Sequence, residues 1–465
     1  MQLSTIAGRT GMFRLLAVAA LAATLAAPPS VGPARAAGCS VKGQITPRGG
    51  GWTTIKYPAF RDVLADPSKL GTLYPFGGQG GENVNATGVD RWDARVLYVT
   101  NGRSLLRSAD GGCTWKETFS TGGLTALVDV PPSPDVSSVR TTYDAMTITG
   151  IVTPDAKSVH ARVHLVIVDG PSGGVVVATS RNGADHWTYS QLDVNAAVPS
   201  AGQTPSSAWS ATLAVAPRDP NVVYLGVQLR PQGGKLYYRS KDGGAHWSVQ
   251  SVSDVGDSRH DGQIFLAVNP LNANELWEGD CTESACFDAY GYGDFRHSTD
   301  GGATWQRPTN VGNPNASYVA QVLAVALPGA NKARVYALYQ GNRMYRSDDG
   351  GATFPRVPEG DFDEPAMYTS GRAYPNYNRL FPGSNPHDLV AAGPGNKLWI
   401  LSWTRLRARA KNPWIDVSGR YAVPHGSCCD PKRRWVTAPS ISTVTPRRVF
   451  FASTPDTFER YEGKA

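Results

Sequence analysis

SADGGCTW occupies residues 108–115, and four later stretches repeat it: SRNGADHW (180–187), SKDGGAHW (240–247), STDGGATW (298–305) and SDDGGATF (347–354). The shared form is Ser-x-Asp/Asn-x-Gly/Ala-x-Thr/His-Trp/Phe, and its starts lie 72, 60, 58 and 49 residues apart. Self-similarity at such a period predicts a repeat architecture. Apolar, aromatic-rich runs precede each copy, as in VVYLGVQLRPQGGKLYYRS, and short alternating runs such as WSVQSV follow it. Both are strand signals bounded by turn residues.

The residue types fit a strand reversal. Asp or Asn bonds its own backbone two residues on and tolerates left-handed angles. Glycine supplies positive φ where a side chain would clash. The closing Trp opens the next strand and fills space between packed sheets. Asp110, Asn182, Asp242, Asp300 and Asp349 are therefore read as turn-makers. Each sits in a separate repeat, so the five cannot converge on one metal ion, and no metal site is expected.

These segments resemble the Asp boxes of the BNR-repeat β-propellers, a superfamily that includes sialidases, xyloglucan-active glycoside hydrolases, sortilin-type receptors and photosystem assembly factors. The resemblance spans nearly the whole chain after the leader. It implies an all-β propeller with an Asp box at the turn between the third and fourth strand of a blade. It does not fix the chemistry. Boxes together with Val-x-Pro signatures at 152–154, 215–217, 268–270 and 444–446 place blades at about 83–120, 144–192, 210–253, 262–309, 318–357, 387–418 and 438–462. Seven blades are expected, with six or eight as alternatives. The last blade lacks a strand. GGGWTTIKYP (49–58) reads as that strand, so the two chain ends are expected to close the ring and remove an exposed edge.

Residues 1–36 read as an export leader. Arg9 and Arg14 form a basic start, LLAVAALAATLAA (15–27) is an apolar core too short to span a membrane, and Ala34-Arg35-Ala36 is a small-residue cleavage site. Residues 37–465 are then a single propeller domain, expected to be secreted and monomeric. Cys39 follows closely, but Ala36 stands where a lipobox usually has Leu, which disfavours lipidation. No later segment is apolar for the length of a membrane span. The formal net charge is +7, and cleavage would remove three arginines. So mild an excess does not imply nucleic acid. Among the six cysteines, Cys281 and Cys286 are spaced to staple one loop. The pairing of Cys39, Cys113, Cys428 and Cys429 stays open.

By the resemblance, related enzymes carry their sites on the face opposite the boxes, and three loops fall there. SRHDG (258–262) brings Arg259, His260 and Asp261 to the start of a blade's first strand. If Val268 lies near Glu275, Asp261 and Asp280 meet across neighbouring strands, about 5 Å apart, as a retaining carboxylate pair requires. Asp261 and Asp280 are thus the candidate catalytic acids, one with a raised pKa. The loop CTESACFDAYGYGDF (281–295) follows. The third loop, 357–386, supplies Glu364, Tyr368, Arg372 and Tyr374 as candidate ligand contacts.

The expected function is binding or cleavage of extracellular glycans with no cofactor. The alternative is a non-catalytic propeller that binds carbohydrate or a cell-surface protein. Exo-sialidase activity ranks lower, because YPAFRDV (57–63) lacks the Arg-Ile-Pro motif of that family. Arg405, Arg407, Arg409 and Lys411 alternate with apolar residues, placing four cations on one strand face. They suit a solvated blade surface or a stripe for an anionic polymer.

Overall fold

Each repeat folds as a meander of antiparallel strands, and the repeats follow one another along the chain. The computed structural model describes residues 39, 44–49 and 52–56; 86–124 except 91 and 101; 147–198 except 155 and 169–172; and 207–255 except 231–232. It further describes 263–281, 294–308, 319–355 except 328 and 340–342, and the strands within 379–382, 389–393, 397–401, 414–416, 440–442, 447–454 and 457–463. Among these residues there are seven antiparallel sheets. The first strands of consecutive sheets pack on one another: Ala86–Val89 on Thr147–Val152, then Ser207–Val215, Gln263–Val268, Val319–Ala326 and Arg379–Pro382. The strand Ser440–Ser442 returns to pack on Ala86–Val89. This is a β-propeller, all-β as expected.

The apolar core is divided into layers between neighbouring sheets. One layer joins Val166, Val175 and Val177 to Leu213, Val223, Leu225 and Leu236; another joins Trp277 and Phe295 to Val335, Ala337 and Phe354. Strands buried on both faces read as continuous apolar runs, as VHLVIV and VVVATS do.

The five repeated turns share one hydrogen-bond pattern. In the fourth, Ser298 Oγ donates to Asp300 at 2.8 Å and accepts from Gly302 N at 2.9 Å, while Thr304 donates to Asp300 through its backbone N (2.9 Å) and Oγ1 (2.6 Å). Asp110 and Asp349 repeat the set with Thr114 and Thr353. At the second turn Asn182 accepts from His186 N at 3.0 Å. The closing aromatic packs back on the preceding sheet: Trp187 Nε1 donates to Thr118 O at 2.9 Å, and Trp305 lies 4.7 Å from the Tyr237 ring.

The chain ends pair. Trp52–Lys56 bonds to Thr457–Gly463 from Trp52↔Tyr461 to Lys56↔Thr457, as the closing strand was expected to do. An additional outer strand, Ile45–Gly49, makes this sheet five-stranded. A disulfide joins Cys39 to Cys113. It ties the N-terminal segment to the first repeated turn.

Two expectations are corrected. The sixth sheet begins earlier than 387: Arg379–Pro382, placed in the 357–386 loop by sequence, pairs with Leu389–Gly393. Its apolar signal is only RLFP, flanked by Asn and Gly turn residues, too short to separate from a loop. Val268 pairs with Leu276, one residue off the Glu275 register, because Asn269 and Glu275 form the turn. Among the described residues no helix is long and apolar enough to cross a membrane.

Candidate functional site

Where the third and fourth sheets face each other, a cluster of charges is buried at the strand ends opposite the repeated turns. Lys235 opens the strand Lys235–Ser240, whose far end leads into the turn at 240–247. Glu278 and Asp280 lie two apart on Leu276–Cys281, so period two sets both on one face. Lys235, Glu278 and Asp280 have no exposed side-chain surface. Lys235 Nζ lies 2.7 Å from Glu278 Oε1, 2.5 Å from Asp280 Oδ2 and 3.9 Å from Asp254 Oδ2.

A second cation extends the cluster. Arg296, on Phe295–Ser298, meets Asp254 with two nitrogens at 2.8 and 3.0 Å, Asp294 through Nε at 2.6 Å and Ser253 Oγ at 3.2 Å. Arg307 caps Asp294 from the solvent side at 2.9 and 3.1 Å. The main chain joins in: Asp280 N donates to Asp294 O at 3.0 Å, and Asp294 N donates to the Asp280 carboxylate. Asp254 adopts φ 57°, a left-handed conformation that Asp tolerates better than most residues. There it turns back toward both cations.

Burial disfavours each charge, and the partners oppose it. Burial alone would lower the Lys235 pKa, yet Asp280 and Glu278 outweigh it and hold the ammonium above its ordinary value. Burial would raise the Asp254 carboxyl, but Arg296 and Lys235 bring it below the usual range. Glu278 goes the other way. Burial, reinforced by the neighbouring Asp280 charge, pushes its carboxyl up in spite of Lys235. Tyr237, two residues along from Lys235, is raised by burial and by the Glu278 charge. Around one ammonium the cluster thus sets Asp254, whose charged form is favoured, and Glu278, whose proton affinity is raised. Among the described residues no group of three or more His, Cys, Asp or Glu is arranged to hold a metal. The space between three carboxylates here belongs to an ammonium.

The sequence candidates distribute unevenly. Asp280 belongs to this cluster. Asp261, Arg259, His260, Glu364, Tyr368, Arg372, Tyr374 and Cys286 lie outside the described residues, as does the 405–411 cation stripe. Asp110, Asn182, Asp242, Asp300 and Asp349 sit in the turns of the opposite face. Lys235, Asp254, Asp294 and Arg296 were not singled out. The available signal was KLYYRS, in which a lysine heads an otherwise buried run, facing the i, i+2 acids of WEGD.

No family model matches the chain. Its sequence is similar to a xyloglucanase of Paenibacillus sp, 30% identical over 234 residues, which cover 48% of this chain and 21% of that protein. It is also similar to a probable oligoxyloglucan-reducing end-specific xyloglucanase of Neosartorya fischeri, 29% identical over 137 residues, covering 28% of this chain and 15% of the relative. The matched regions thus span about a fifth or less of the relatives' own length. Among solved structures the chain resembles YCF48 bound to D1 peptide, with TM-score 0.44 and 12% identity over 90% of this chain and 99% of that one.

Proposed function

We propose that this is an exported Asp-box propeller that hydrolyses a polysaccharide of the xyloglucan type on the face opposite its repeated turns. The observation that carries the reading is the 234-residue similarity to a xyloglucanase. Supporting it, the buried charge cluster lies on that face, at the roots of the connections that hold Asp261 and the 282–293 stretch. In this reading Asp261, Arg259, His260, Glu364, Tyr368, Arg372 and Tyr374 meet the sugar. A reacting carboxylate must touch substrate, and Asp280 has no exposed surface while Lys235 binds one of its oxygens at 2.5 Å. Its share in the proposed acid pair is therefore to anchor the site. Glycan chemistry of this kind is carried by side chains and water, with no cofactor.

The test is incubation of the purified protein with xyloglucan and with a panel of plant, fungal and bacterial polysaccharides, followed by product analysis. Release of xyloglucan oligosaccharides that Asp261→Asn abolishes, with an unchanged melting temperature, supports the reading. Retention on a glycan without product favours a non-catalytic binding propeller. Absence of both overturns the glycan reading and leaves a protein partner at the cell surface.

A further inference from the structure

We infer that Lys235 is a positioning residue for the loop face: together with Arg296 it ties Asp254, Asp280 and Asp294, three carboxylates at separate strand ends, and so fixes where the 256–262 and 282–293 connections depart. The functional consequence rests on the glycan-acting reading; the positioning itself does not.

The arrangement is specific to strand ends. Asp254 immediately follows the strand Ser248–Ser253, Asp280 is the penultimate residue of Leu276–Cys281, and Asp294 immediately precedes Phe295–Ser298. One connection leaves after Val255 and re-enters at Gln263; the other leaves after Cys281 and re-enters at Asp294. Lys235 contacts the carboxylates of Asp254 and Asp280, and Arg296 those of Asp254 and Asp294. The exit of each connection is thereby held to the other's through two buried cations, across two different sheets. The bond from Asp280 N to Asp294 O and the one from Asp294 N to the Asp280 carboxylate close the base of the second connection.

Stability does not account for this use of charge. An apolar trio of similar volume at Lys235, Glu278 and Asp280 would bind the two sheets at least as well, because burying ions costs more than their attraction often returns. Among the described residues, Glu278 Oε2, the Tyr237 hydroxyl and Gln228 Oε1 are buried without a hydrogen-bond partner. Apolar packing holds sheets together but does not dictate direction. Ion pairs with short, oriented contacts do, and sites that must hold geometry tolerate such costs.

The experiment compares Lys235→Met, Arg296→Lys and a control, Arg334→Met, which removes a buried cation from the turn face. Hydrogen–deuterium exchange is followed by peptide, alongside kcat and KM on xyloglucan oligosaccharides. Positioning predicts that exchange in 256–262 and 282–293 rises roughly tenfold or more in both site variants. It predicts no such local rise in the control. It also predicts that kcat/KM falls about 100-fold, as a displacement near 1 Å can cause. A triple variant, Lys235→Met with Glu278→Leu and Asp280→Leu, should regain melting temperature without regaining kcat/KM. Exchange that is unchanged at the two connections, or raised equally throughout, overturns the proposal, as does recovery of kcat/KM by the triple variant. If Lys235→Met fails to fold, Arg296→Lys decides the exchange outcome. A wild-type protein that turns over no glycan sinks the functional reading alone, because the exchange measurement still tests the positioning.

Discussion

Lys235 Nζ and Asp280 Oδ2 lie 2.5 Å apart with neither side chain exposed, and they come from two different sheets of the ring. Removing one partner leaves the other charged and buried. Lys235→Met is therefore expected to cost about 3–5 kcal/mol, measured by chemical denaturation. Replacing Lys235, Glu278 and Asp280 together by apolar residues should recover most of that loss. A Lys235→Met variant of unchanged stability would mean that Asp280 and Glu278 are not held as described.

The turn glycines should be nearly irreplaceable where a neighbouring sheet presses on them. Gly351 has φ 90°, and a Cβ there would lie 2.6 Å from Trp277 Nε1. Gly351→Ala is expected to cost about 1–2 kcal/mol for the left-handed backbone and about 1–3 kcal/mol more for overpacking. Gly111 has φ 75° with nothing near its added Cβ, so Gly111→Ala should show the backbone part alone. Equal losses at the two positions would argue against the packing of Trp277 under the fifth turn.

His164 predicts a pH dependence. It is fully buried, its Nδ1 lies 3.0 Å from Thr179 Oγ1, and burial, helped by the charges of Arg162 and Arg181, pushes its pKa down to about 3. The unfolded chain binds a proton near pH 6.5 and the folded one does not. The stabilisation is thus complete above about pH 6.5 and is lost progressively as pH falls toward the folded value. Denaturation midpoints between pH 7 and pH 4 should fall less steeply for His164→Gln, about one proton's worth of slope less. Parallel curves for the two proteins would contradict the neutral, buried imidazole.

The Cys39–Cys113 disulfide spans 74 residues of sequence and crosses from the closing strand's segment to the first sheet. Gln44 Nε2 donates to Gly112 O at 3.0 Å and Trp115 Nε1 to Lys56 O at 3.0 Å, so the same seam also carries hydrogen bonds. Cys113→Ser, or reduction, should lower stability by about 2–4 kcal/mol. Hydrogen exchange should rise first in Trp52–Lys56 and Thr457–Gly463. Loss of protection that begins in a central sheet, such as the one containing Val223–Arg230, would rule out the seam as the weakest point.

The fold was legible because its punctuation is local. SxDGG turns, Val-x-Pro strand ends and period-two runs all act within a few residues, and the Trp52 strand could be placed because one sheet lacked a partner. The outer strand Ile45–Gly49 was missed, since ITPRG is too polar and proline-broken to read as sheet. The site was less legible. Lys235 heads its strand, where a lysine ordinarily reaches solvent, and its burial depends on Glu278 and Asp280, some 43 and 45 positions away. Such a pairing becomes visible only when the neighbouring sheet is set beside it. Asp280 was visible as an acid at a strand end, but its ammonium partner was not, and that partner decides what the carboxylate can do.

The most direct test of the account is a crystal structure of the protein soaked with a xyloglucan oligosaccharide. The account predicts sugar density on the face opposite the repeated turns, beside the ends of Leu276–Cys281 and Ser248–Ser253, with Asp261 within hydrogen-bond reach and Asp280 still bound to Lys235. Sugar bound on the turn face, or density that reaches Asp280 only after Lys235 has moved away, would contradict it.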